Sequence, residues 1–134
     1  MDITQLEQSI ARIVKQRGYA PLIISEEGLE KEIKKFPTAW IQLPLVLYVE
    51  GREEGVIGHQ ITVALLDDYS AHSFEDKSSR LAAMNEDMIE IMRRLSLEEG
   101  IVEVEEMTIT PRVTHTTRHG DIAQICKAEV ASYF

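Results

Sequence analysis

The chain has 134 residues, 44% of them hydrophobic and 28% charged, with 23 acidic against 14 basic side chains and a net charge of −9. That length and mixture suit one folded domain over residues 1–134 and exclude a disordered chain, and a core of this size needs no disulfide or metal to hold it. The acidic balance repels phosphate and argues against sequence-specific nucleic-acid binding, while the lone cysteine, Cys126, excludes an internal disulfide and a cysteine-built zinc site.

Residues 1–15 mix charged and apolar side chains at helical spacing and lack the uninterrupted apolar stretch of a secretory signal. Residues 2–17 set Leu6, Ile10, Ile13 and Val14 on one face, which predicts an amphipathic helix ended by Gly18. A short apolar stretch over residues 19–25 runs into Glu26, Glu27 and Gly28, and a short helix over residues 29–35 is expected before Pro37 stops it. The longest nearly apolar run, residues 39–49, contains Gln42 and Pro44 and is too short to cross a bilayer. No membrane association is expected, and the chain is expected to be cytosolic as made, in whatever cell makes it.

Within that run Ile41, Leu43, Leu45, Leu47 and Val49 alternate, which predicts one strand with these five on one face. Pro44 has no N–H to donate, so the strand is expected at an edge or with a bulge. After a polar turn at residues 51–55, a second strand is expected over residues 56–66, with Ile57, His59, Ile61, Val63 and Leu65 sharing a face; the two strands form a hairpin. Residues 67–76 read as a polar loop. Residues 77–95 carry a stripe of Leu81, Met84, Met88, Ile91, Met92 and Leu95 opposite a charged face, the pattern of a helix packed on a sheet. Residues 101–110 alternate with a change of parity that a bulge near Glu105 and Glu106 would reconcile. Residues 111–120 are polar and threonine-rich, and residues 121–134 form a closing strand. The expected fold is α+β, a mostly antiparallel sheet of about four strands with both main helices on one face.

Candidate chemistry is sparse. His115 and His119 stand four apart with Asp121 two further on, two imidazoles and a carboxylate of the kind that bind zinc or iron, but the threonines and Gly120 around them favour a hairpin tip and no glutamate lies between the histidines. His59, on an apolar strand face, reads as a core or interface histidine with a hydrogen-bond partner. Asp67 and Asp68 point to opposite faces of an extended chain and read as a strand-ending loop rather than an acid/base pair. Cys126 alternates with Ala128 and Val130 and reads as a buried small hydrophobe. Met84, Met88 and Met92 share a helix face that is either core or an adaptable binding surface. No nucleophile elbow, P-loop or dinucleotide fingerprint occurs, so no catalytic residue and no cofactor is expected.

The order of elements carries one further signal. An amino-terminal helix precedes a Phe36-Pro37 entry into an apolar strand. A hairpin then leads into Ile61-Thr62-Val63-Ala64-Leu65-Leu66, followed by a long amphipathic helix, a variable strand and a last strand. This layout, over roughly residues 6–130, resembles the small tail-terminator, tail-completion and neck subunits of long-tailed phages and prophages. The resemblance implies a structural, non-catalytic subunit assembling as a ring, often a hexamer, with tail-tube or connector proteins as partners. An acidic ring would not retain passing DNA. Expected contact segments are residues 51–55, 68–75 and 112–121, with Arg52, Glu53, Glu54, Tyr69, His72, Phe74, Arg112, Thr114 and Arg118 as interface candidates. The alternatives are a small adaptor acting through a sheet edge or the methionine-bearing helix face, and a metal-dependent enzyme at His115, His119 and Asp121.

Overall fold

The computed structural model describes residues 1–23, 36–42, 44–51, 55–68, 74–114 and 121–133. Helix α1 (Ile3–Gln16) opens on a reciprocal cap, in which the Gln5 N–H donates to Asp2 Oδ1 at 2.8 Å and the Asp2 N–H donates to Gln5 Oε1 at 2.9 Å. The pair satisfies backbone donors that a helix start leaves without partners. Its buried face is Leu6, Ile10, Ile13 and Val14, as the spacing predicts. Gly18, at φ +97°, then turns the chain, and the Tyr19 N–H donates back to the Val14 carbonyl at 3.0 Å.

Among the described residues the sheet has six strands and is mixed. Strand β1 (Ala20–Ile23) runs parallel to β2 (Thr38–Ile41), and β2 pairs antiparallel with the distal half of β4 (Val56–Asp68). Strand β3 (Leu45–Glu50) pairs antiparallel with the proximal half of the same β4 edge. The opposite edge of β4 is taken over its whole length by β6 (Asp121–Tyr133), from Val56 against Tyr133 to Asp68 against Asp121. Strand β5 (Ile101–Thr114) lies beyond β6, and helix α2 (Phe74–Ser96) links β4 to β5. Four of the five strand pairings are antiparallel.

Two expectations about this sheet are corrected. The run over residues 39–49 is not one strand: Pro44 falls between β2 and β3, which lie end to end along β4. A proline cannot continue a ladder, so the pairing stops on one side of it and restarts on the other. The register also shifts between Val46 and Tyr48, leaving Leu47 as an extra residue, so the five alternating residues do not share a face. The short apolar stretch after Tyr19 adds β1 to a sheet that is otherwise antiparallel, as expected. The helix expected over residues 29–35 lies outside the described residues.

Strand β5 contains the expected bulge, with the register shifting between Glu105 and Thr108 and Glu106 at φ +50°. A second shift, between Ile101 and Glu103, makes Val102 an extra residue, so Val102 does not share the face of Val104 as alternation alone suggests. The strand also continues to Thr114, so the start of the threonine-rich segment is ladder rather than loop. Glu106→Gly relieves the left-handed backbone and is expected to raise stability by up to about 1 kcal/mol in urea unfolding.

The core lies between one sheet face and both helices. It combines the α1 stripe with Met84, Met88, Ile91, Met92 and Leu95 of α2, Ala39 and Ile41 of β2, Ile61, Val63 and Leu65 of β4, and Ile122, Cys126, Ala128 and Val130 of β6. The methionine face is therefore core, each of the three being at most 2% exposed, which removes it as an adaptor surface. Burial pushes the Cys126 thiol up to about 11, so it stays protonated and packs as a small hydrophobe. The opposite sheet face carries a smaller buried cluster of Trp40, Ala64, Leu66 and Ala123 at one end.

Candidate interaction surface

Strand β3 is an edge among the described residues, since it pairs with β4 alone. Val46, Leu47, Tyr48 and Val49 are consecutive and 36–57% exposed. An uncapped edge presents unpaired N–H and carbonyl groups, and a strand of this kind with apolar side chains is a template for pairing with another chain. No other described strand in the fold exposes four apolar residues in succession.

Tyr48 sits opposite Gly58, on the face turned away from the helices. A Cβ built on Gly58 would lie 2.3 Å from the Tyr48 ring, so the glycine is what lets the phenol lie flat over the strand. Gly58→Ala is expected to cost about 1–3 kcal/mol in denaturant unfolding, as overpacking does, with most of the loss recovered when Tyr48→Ser is added.

Around Tyr48 the sheet face is acidic. Glu103 pairs across from Ala131, itself opposite Gly58, and Glu105 pairs across from Glu129, itself opposite Gln60. Like-charge repulsion from Glu103, with partial burial and a hydrogen bond to the same residue, raises Glu105 above the usual carboxylate range. The Tyr48 phenol is raised as well, by desolvation first and then by Glu50, Glu105, Glu103 and Glu129.

At the other end of β4 a polar network ties the elements together. Arg80 Nε donates to Asp67 Oδ2 at 2.8 Å, and its guanidinium lies 5.8 Å from the Tyr19 ring centre. The Tyr19 hydroxyl donates to Asp87 Oδ2 at 2.5 Å, and Arg17 Nε donates to Asp87 Oδ1 at 2.7 Å. Burial, then the Asp87 bond, raises the Tyr19 pKa. Every charge here has an opposite neighbour, the arrangement of a structural clamp. Asp67 and Asp68 are the last two residues of β4 rather than a loop.

His59 is fully buried on the helix-facing side of β4, but neither ring nitrogen has a hydrogen-bond partner among the described residues, contrary to the expected partnered histidine. Desolvation, then the Met1 amino group, lowers its pKa. Gln124 donates to the Leu81 carbonyl at 2.9 Å, while its Oε1 and the Ser132 hydroxyl lack partners among the described residues.

Of the interface candidates, Arg112 is exposed on β5 opposite Ala123. Phe74 opens α2, Thr114 closes β5 and Asp121 opens β6, and their side chains lie outside the described set. Arg52, Glu53, Glu54, Tyr69, His72, His115, Arg118 and His119 also lie outside the described residues. Among the described residues no three metal-ligating side chains converge, and no helix is long and apolar enough to cross a membrane. The β3 edge was hidden in the sequence because its residues, read as one alternating strand with residues 39–44, looked half-buried; Pro44 was the available signal. No family model matches the chain, and no curated protein matches it significantly.

Proposed function

We propose that this chain is a structural subunit of a phage or prophage tail or head–tail junction, assembling as a ring and without catalysis. The observation that carries the reading is the β3 edge, with four consecutive exposed apolar residues on a strand that has one described neighbour. A lone subunit gains nothing by leaving such a strand open, whereas a ring covers it at every interface. The α+β layout, with both described helices on one face of the sheet, agrees with the tail-subunit resemblance. The acidic charge supports a channel that lets DNA pass without holding it. Tail-tube or connector proteins are the proposed partners.

Size-exclusion chromatography with light scattering tests this directly. A closed oligomer at micromolar concentration, seen as rings in negative-stain images, is the expected result. A strict monomer at high concentration, alone and with a tail-tube or connector protein from the same gene cluster, overturns it. The same edge also suits a small adaptor that pairs with one strand of a foreign partner. That reading requires a monomer or dimer, not a ring, that binds a partner encoded elsewhere.

A further inference from the structure

Two exposed surfaces among the described residues carry apolar side chains in settings of opposite charge. The first is the β3 end of the open sheet face, where Tyr48, 36% exposed, adjoins Glu50, Glu103, Glu105 and Glu129. Lys127 is the basic residue one row further along β6.

The second surface lies on the helix layer. A groove between the ends of α1 and α2 is lined by Arg12, Gln16, Arg93, Arg94, Leu97 and Glu98, over the Ile13 side of α1. Arg93 and Arg94 share one carboxylate, Glu90, and Arg12 pairs with Glu98, so three guanidiniums face two carboxylates. Each of the three arginine side chains is about half exposed, at 49%, 58% and 48%. Basic residues in a last helical turn also offset the helix dipole, which accounts for some of this charge. It does not account for Leu97, 71% exposed just past α2, or for Ile89, 46% exposed two turns earlier on the same side of the helix.

The acidic apolar surface is on the open sheet face and the basic apolar groove is on the helix layer, so one molecule cannot satisfy its own pair. A two-fold contact built on either surface alone would set like charge against like. A head-to-tail contact sets the acidic surface of one copy against the basic groove of the next and leaves both surfaces available for further copies, which closes a ring when the rotation permits. We propose that this is the subunit interface: the β3 side of the open sheet face docks into the α1–α2 groove of a second copy. The inference rests on the ring reading and names its contact.

Two charge-reversed chains test it. One carries Glu103→Arg and Glu105→Arg, the other Arg93→Glu and Arg94→Glu, and circular dichroism confirms that each is folded. At low salt each alone is expected to lose the wild-type oligomer, with assembly weakened about tenfold or more, and an equimolar mixture is expected to regain the wild-type mass, because each reversed surface then meets its complement. Leu97→Asp, at a position too exposed to affect folding, is expected to weaken assembly to a similar extent with an unchanged unfolding midpoint. Reversed chains that each keep the wild-type mass, or a folded mixture that stays dissociated, overturn this interface while leaving the ring reading intact. A monomeric wild type overturns both.

Discussion

Asp67→Ala is expected to lower the unfolding free energy by about 3 kcal/mol, the usual scale for stripping one partner from a largely buried ion pair. In thermal unfolding that is a fall of roughly 10 °C for a domain of this size. Asp67 is 9% exposed and sits where β4 ends against α2. Its Oδ2 accepts from Arg80 Nε, and its Oδ1 accepts from the Asp68 N–H at 2.9 Å. Burial works against the Arg80 charge; the Asp67 hydrogen bond, with the fields of Tyr19, Asp67 and Asp87, overcomes it and raises the pKa. Alanine leaves the guanidinium with its desolvation cost and without that carboxylate. Adding Arg80→Met to Asp67→Ala is expected to return more than half of the loss, since a paired removal leaves no orphan charge. A single-mutant loss under about 0.5 kcal/mol would show that water reaches the pair and does the same service.

His59→Leu is expected to stabilise the protein by about 1–2 kcal/mol at neutral pH, because it removes a buried imidazole whose polar atoms have no described partner. The gain is expected to grow as the solution is acidified. The folded imidazole titrates below its ordinary value of 6.5, chiefly because burial disfavours the cation. Between the two values the unfolded chain binds a proton that the folded chain does not, so stability falls as pH drops below 6.5. Leucine abolishes that slope. Glu90 acts in a separate window: Arg93, then Arg94, hold it down to about 2, so its contribution is present above pH 4.5 and lost only below it. Urea midpoints of both chains between pH 7.5 and 5 separate the two effects, and parallel profiles would show that His59 is not the titrating group.

The helices were legible because each has a single reason to exist. Residues 2–17 and 77–95 show one apolar stripe each, and α1 and α2 occupy Ile3–Gln16 and Phe74–Ser96. The faces of β4 were equally plain, since every second residue from Ile57 to Leu65 meets the helices or lies in line with those that do. The bulge at Glu106 was legible as a parity change. What escaped was pairing. Strands β2 and β3 look continuous because both are apolar, and only the three-dimensional sheet reveals that each takes half of one β4 edge. In β2 all four residues are buried, so no alternation marks it. The interaction surface was missed for the same reason, because exposure of Val46, Leu47, Tyr48 and Val49 follows from having no second neighbour. The clamp of Asp67, Arg80, Tyr19 and Asp87 joins positions far apart in the chain, which no local pattern encodes.

The unbroken seam between β4 and β6 also sets how the molecule comes together in time. It joins residues as remote as Val56 and Tyr133, whereas the β3–β4 contacts, beginning at Glu50 against Val56, are local. Local hairpins close within microseconds, but the seam must wait for the intervening helix and β5 to be brought into place, and the entropy of that long closure slows it. With no bulge along its length, the seam has no kink to fix its alignment. A slip of one residue would turn every inward side chain outward and is strongly disfavoured, but a slip of two keeps the alternation. The Gln124 bond to the Leu81 carbonyl distinguishes the two alignments, tying β6 to a fixed point on α2. Refolding of Gln124→Leu should therefore show a slow phase that the parent chain lacks.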